Sequence, residues 1–288
     1  MNKKILLASG CSYTDPNFRS FDQSLKESEQ GGWPMWPELV SNKLNLTCIN
    51  LGEMGQCNTI SVNKIIRALA ENKDNVDTVM ILLSGWDRSQ LFNGHSVLPL
   101  HCIINIIDGK NDISRTPFFN IDNIQKGILE YIEKQNNFFL RFHEGSVNET
   151  LTSLYILIKL CEAQKIKFII AQGVDRWHNS VADQLIKLFK NHSKVDFSKE
   201  YLKYLSSTVI GMELEKKSNH FIGWPFEKQL GGYSIDNLRF WSKSDGKGKF
   251  KNIPMGLCEQ DWHPNEKEQE IIAEIFVEKY LQLYDHVI

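Results

Sequence analysis

Ile5-Leu6-Leu7-Ala8-Ser9-Gly10-Cys11-Ser12-Tyr13-Thr14-Asp15 is the stretch on which the fold turns. The apolar run from Ile5 to Ala8 is short and stops at a glycine, as a strand buried on both faces does. A serine just after such a strand stands at the C-terminal edge of a sheet, where the next helix would begin. Its hydroxyl can face a cleft, and its own N–H can point at a developing oxyanion. The plainer reading is that Ser12 or Thr14 caps a helix.

Three more runs resemble the first. Thr47 to Asn50 is a short second strand, Thr78 to Leu83 (TVMILL) a strong third, and Lys167 to Ala171 (KFIIA) a fourth. Helical periodicity lies between and after them. Ile60, Ile65, Ile66 and Leu69 share a face over Asn58 to Ala70, as do Leu154, Leu157, Ile158 and Cys161 over Leu151 to Ala163. Ile271, Ile272, Ile275, Phe276 and Leu283 form a stripe over Glu266 to Leu283, with Asn265 as its expected N-cap. Strands alternating with helices predict βαβ units and a parallel sheet.

Two stretches break the alternation. Residues 88–148 carry Phe118, Phe119, Phe138, Phe139 and Phe142 in polar surroundings, and residues 173–258 carry Trp177, Trp224, Tyr233, Phe240 and Trp241 among Gly and Lys. Both read as insertions at strand ends, where α/β folds place ligand sites. With no internal repeat and no low-complexity linker, residues 1–288 are expected to form one elaborated domain, with Ser242 to Lys251 as a surface loop.

The composition of the 288 residues is ordinary, at 42% hydrophobic and 24% charged, and the formal charge of −2 gives no reason to expect nucleic acid or an anionic membrane as partner. No apolar stretch nears the ~20 residues of a membrane span. The opening MNKKILLASG stops being apolar too early for a signal peptide. Six scattered cysteines without a CxxC make a metal site or disulfide framework unexpected and suit a reduced, cytoplasmic setting.

Three later segments could join Ser12. Asn50-Leu51-Gly52-Glu53-Met54-Gly55 follows the second strand, and its glycines let backbone approach another group or simply make a tight turn. Ser84-Gly85-Trp86-Asp87-Arg88 follows the third strand and faces the same crevice, although Asp87 and Arg88 could merely pair and cap. Asp261-Trp262-His263-Pro264-Asn265 precedes the last helix. There Asp261 could fix the tautomer of His263, whose free nitrogen would take a proton from Ser12. The other seven histidines have no comparable neighbours.

Taken in order, these four segments resemble the blocks of the SGNH hydrolases, the GDSL-type esterase and lipase superfamily: a serine block, a glycine block, an asparagine block and a closing Asp-His-Pro block. Trp36-Pro37-Glu38-Leu39 resembles a W-P-x-L often found between the first two. The resemblance covers roughly residues 3–87, 150–172 and 259–284. It implies a flavodoxin-like three-layer α/β/α sandwich with a mostly parallel sheet. It implies Ser12 as nucleophile, His263 as base and Asp261 as its partner. The oxyanion would be held by the N–H groups of Ser12 and Gly55, with Gly52 as second choice. No cofactor and no metal are implied, and the substrate would be a small-molecule or glycan ester, such as an O-acetyl group.

The chain departs from the pattern in three places. The first block reads Gly10-Cys11-Ser12, without the usual aspartate. Trp86 stands where the family has asparagine, placing Trp86 and Asp87 as pocket residues of block three. Gln260, not an aspartate, lies three before His263, so Asp261 takes the role. Together with Gly223-Trp224-Pro225-Phe226 and Leu230-Gly231-Gly232-Tyr233, these departures resemble SGNH-like proteins of phages and environmental bacteria. The rival expectation is a binding or structural protein on a degenerate scaffold, in which Ser12 and His263 stand apart. Cys11 and Cys57, less well placed on the turn, are alternative nucleophiles. A Ser12–His263 separation near 3 Å would favour catalysis.

Overall fold

The computed structural model describes residues 3–20, 22, 24–72, 74–86, 138–174, 197–239, 253, 256–258 and 261–285. Its centre is a five-stranded sheet, parallel throughout, made of β1 (Ile5–Gly10), β2 (Thr47–Asn50), β3 (Val76–Leu83), β4 (Lys167–Gln172) and β5 (Phe221–Ile222), in the order β2-β1-β3-β4-β5. That is the flavodoxin-like doubly wound order. The direction of winding reverses at β1, so a crevice opens beyond the C-terminal ends of β1 and β3.

Strand sequence dictates the layers, because alternate side chains leave a strand on opposite faces. Leu7 of β1, Val79, Ile81 and Leu83 of β3, and Phe168 and Ile170 of β4 enter one apolar core. There they meet α2 (Asn58–Asn72) and α3 (Phe138–Gln164). Leu6 and Ala8, Met80 and Leu82, and Ile169 and Ala171 enter the other. They meet α1 (Trp36–Lys43) and the last helix, α6 (Glu266–Tyr284). Residues with both neighbours buried must be apolar in succession, which is why β3 reads as an unbroken run.

The four strands and three helices expected from the sequence are all present, β2 with the expected ends and α3 beginning well before Leu151. Asn265 caps α6 as expected, its side chain accepting from Glu268 N–H while the Glu268 carboxylate accepts from Asn265 N–H. The stretch read as the second insertion holds more than a loop. It carries α4 (Phe197–Ser207), α5 (Val209–Glu215) and the sheet's fifth strand. Of the first insertion only 138–148 lies among the described residues, and the Ser242–Lys251 loop lies outside them. Among the described residues, no helix is long and apolar enough to cross a membrane.

One contact locks the N-terminal half to the C-terminal helix. The Trp36 indole, fully buried, lies flat against Phe276 with ring centres 4.2 Å apart and planes 7° from parallel. Phe276→Ala is expected to cost about 3–5 kcal/mol, as deletion of a buried aromatic does. The measurement is the urea midpoint at constant slope, and an unshifted midpoint would mean that α6 does not close this core.

Candidate active site

Ser12 sits in a tight turn directly after β1. The Cys11 carbonyl accepts from the N–H groups of Thr14 (2.8 Å) and Asp15 (3.1 Å), which folds the chain back on itself. No helix follows at once: α1 starts only at Trp36, so neither Ser12 nor Thr14 is an N-cap. The Thr14 hydroxyl instead accepts from the Trp36 indole N–H at 3.1 Å.

The turn is tied to block two. Glu53 N–H donates to the Gly10 carbonyl (3.2 Å) and Met54 N–H to Asp15 Oδ2 (2.8 Å). Asn50 Nδ2 donates to the Thr14 carbonyl (2.8 Å), and Asn50 Oδ1 accepts from Gly52 N–H (3.0 Å). The two glycines do different work. A Cβ on Gly52 would lie 2.7 Å from the Thr14 backbone, so this glycine exists for close packing. Gly55 has φ of +81° and open space where a Cβ would be. Among the described residues, neither Gly55 N–H nor Ser12 N–H has an acceptor in the protein.

His263 reaches the turn from the other end of the chain. Its Nε2 lies 2.8 Å from Ser12 Oγ and its Nδ1 2.6 Å from Asp261 Oδ1. Asp261 Oδ1 also accepts from His263 N–H (3.0 Å), and Oδ2 accepts from the Ser20 hydroxyl (2.5 Å). Burial alone would raise the Asp261 carboxyl. The hydrogen bonds from His263 and Ser20 and the electrostatic attraction of the neighbouring His263 ring outweigh it and bring the group down to about 2. An ionised carboxylate can only accept, so Nδ1 carries the proton and Nε2 is free to accept from Ser12. The imidazole is also held by its faces: the Phe18 ring lies 4.4 Å away, tilted, and the Tyr13 ring meets it edge-on at 5.6 Å.

The tryptophan of block three, Trp86, is a core residue. It is 1% exposed and packs in the core on α3's side of the sheet, edge-to-face with Tyr201. Its indole N–H donates to Gln172 Oε1 at 2.8 Å. An indole needs one acceptor and an apolar bed, and both are there. The turn is fastened by other residues. Asn58 makes a two-way bond to the Ser84 backbone, and Gln172 Nε2 donates to the carbonyls of Ser84 (2.8 Å) and Val174 (2.7 Å). Asp87 and Gln260 lie outside the described residues.

The alternative nucleophiles are poorly placed. Cys11 is 1% exposed, with its side chain in the core beneath α1 and α6. Burial pushes the Cys57 thiol up, away from the thiolate form. Among the described residues, no cluster of three or more His, Cys, Asp or Glu is arranged to hold a metal ion.

No protein-family model matches the chain, and no curated protein does. Solved structures similar to it include a G-D-S-L family protein described as lipolytic, from Desulfitobacterium hafniense, with TM-score 0.43 and 10% identity over 96% of this chain and 99% of that one. The esterase EstA from a Pseudoalteromonas species gives TM-score 0.40 and 11% identity over 98% of this chain and 99% of that one. The acetylxylan esterase Axe2 from Geobacillus stearothermophilus gives TM-score 0.39 and 13% identity over 96% and 94%. All three likenesses are distant.

The low Asp261 value has a thermodynamic counterpart. A carboxyl held at about 2 in the fold, against an ordinary 3.8, stabilises the protein above pH ~4 and loses that contribution as pH falls toward 2. With allowance for screening at a half-buried group, the contribution is about 1–2 kcal/mol. Asp261→Asn should therefore be less stable than wild type at pH 6 by that amount, and in urea titrations the gap should begin to narrow below pH ~4 and close only as pH falls to about 2. A gap independent of pH would mean that the charge is not what stabilises.

Proposed function

We propose that the chain is a serine esterase of SGNH type that hydrolyses a carboxylic ester through an acyl-enzyme. The observation that carries this reading is the continuous line Ser12–His263–Asp261, at 2.8 and 2.6 Å, on the strand edge where this fold class holds its ligands. His263 Nε2 removes the Ser12 proton as Oγ attacks the ester carbonyl, forming a tetrahedral intermediate. Asp261 keeps the imidazole in the competent tautomer and balances its charge once protonated. The N–H groups of Ser12 and Gly55 receive the oxyanion. His263 then returns its proton to the leaving alkoxide, and water repeats the sequence on the acyl-enzyme.

Two features strengthen the reading against a mere binding scaffold. That rival expects Ser12 and His263 to be separated, and they are in hydrogen-bond contact. The rival draws on Trp86 at the family's asparagine position, and that indole is buried with its N–H on Gln172. Oxyanion support in this reading comes from backbone N–H groups, and the third donor typical of the family, worth roughly 10²–10³ in rate, is not supplied by Trp86, whose N–H is engaged by Gln172. Turnover is accordingly expected to be slow.

An O-acetyl group on a glycan is the substrate class we favour. Trp262, next to His263, and Met54, next to Gly55, are each 44% exposed and offer apolar surface on which a sugar ring can stack. A cytoplasmic setting is part of this proposal: among the described residues Cys11, Cys48, Cys57, Cys161 and Cys258 form no disulfide.

Ser12→Ala should lower p-nitrophenyl acetate hydrolysis by roughly 10³-fold or more and leave the far-ultraviolet spectrum unchanged. A fluorophosphonate probe should label wild type at Ser12. Adding His263→Ala to Ser12→Ala should cost little more, because residues that act as one unit lose their effect together. A Ser12→Ala protein as active as wild type would remove the nucleophile and with it the reading.

A further inference from the structure

Behind the triad lies a charged cluster with no place in the mechanism above. Arg239 is 2% exposed, Asp236 5% and Glu268 fully buried. Arg239 Nη1 donates to Asp236 Oδ1 (2.9 Å), Nε to Glu268 Oε1 (2.7 Å) and Nη2 to Glu268 Oε2 (3.3 Å). Burying an arginine with two carboxylates is a poor way to gain stability, since apolar residues of similar volume usually serve as well or better. What such a cluster does supply is fixed geometry, because a planar guanidinium can satisfy its partners in only one arrangement.

Its remaining contacts say what that geometry fixes. Nη1 also donates to the Tyr13 hydroxyl (3.2 Å), and Tyr13 adjoins Ser12. That hydroxyl donates in turn to Asp236 Oδ1 and Oδ2 (3.0 and 3.3 Å), and burial keeps it protonated by raising it well above an ordinary phenol. Nη2 also donates to the carbonyl of Trp262, the residue between Asp261 and His263 (2.8 Å). Glu268 Oε2 accepts from Gly256 N–H (2.8 Å) and Asn265 N–H (3.0 Å), on either side of that segment.

We infer that Arg239 is a positioning residue that sets the contact between Ser12 and His263. One guanidinium grips the serine turn through the Tyr13 hydroxyl and the histidine loop through the Trp262 carbonyl. The two halves of the triad come from opposite ends of the sequence, and this group is bonded to both. A lysine has one ammonium and no fork, so it cannot hold Asp236, Glu268, Tyr13 and Trp262 at once.

The kinetic half of the test rests on the esterase reading; the spectroscopic half does not. The full chain is compared as wild type, Arg239→Lys, Tyr13→Phe and His263→Ala. With p-nitrophenyl acetate, Arg239→Lys is expected to lower kcat by roughly 10- to 100-fold, the scale of a small misplacement of catalytic groups, with KM nearly unchanged. Tyr13→Phe should lower kcat less, in the same direction. In proton NMR, wild type should show a far-downfield resonance from the short His263–Asp261 hydrogen bond, absent in His263→Ala. It should broaden or shift in both Arg239→Lys and Tyr13→Phe. If wild type hydrolyses no ester, the esterase reading falls and the resonance alone decides this proposal. If Arg239→Lys fails to fold, Tyr13→Phe decides it. Variants that lose only thermal stability, with kcat and the resonance as in wild type, would overturn it.

Discussion

The hydrogen bond from Ser12 to His263 joins groups 251 positions apart in sequence, and the rest of the architecture can be understood as what makes it possible. A serine fixed to the edge of a buried strand cannot move toward the imidazole. The histidine must therefore be delivered, and α6 delivers it by packing on the face of the sheet that holds Trp36. The strands supply rigidity and the helices supply placement. The chemistry sits in the turns between them, where backbone N–H groups escape the ladder.

Local wiring then removes the remaining freedom. Asp15 holds the Met54 N–H, so the glycine loop cannot drift from the serine turn. Gln269 reaches from α6 to both sides, accepting from Trp36 N–H and donating to the Tyr13 carbonyl. Ser20 completes the shell of Asp261. Each of these polar groups bonds a backbone atom or Asp261, and their effect is to fix the geometry of Ser12, Asp261 and His263.

The framework was legible in the sequence where physics leaves a local mark. Apolar runs bounded by glycine gave β1 to β4, and the 3.6-residue stripe gave α2, α3 and α6, because burial imposes its period on neighbouring residues. Ser12, Asp261 and His263 stood out in sequence because their blocks fall in order, one at a predicted strand end and the other just before the final helix. β5 has only two residues, too few to show any period. Arg239 was invisible for a different reason: a lone arginine among Gly and aromatic residues looks like surface until Asp236 and three partners distant in sequence surround it. Glu268 did leave a trace, since Asn265 followed three residues later by a glutamate is a capping box, but the pattern gave no hint of the arginine it also binds. The burial of Trp86 was not legible, because a motif position says where a residue sits in sequence and not which way its side chain turns.

The spacing of these contacts also bears on the order in which the molecule assembles. Trp36 with Phe276, Tyr13 with Asp236 and Ser12 with His263 all close very long loops, and such contacts form slowly because chain entropy must be lost before they repay it. The β1–β3 pairing requires less of the chain and can form first. A partly folded molecule with its sheet in place and α6 undocked would hold the serine turn without its histidine. The Ser12–His263 contact would then form only with the last docking event, so its appearance during refolding would time the completion of the fold and not its collapse.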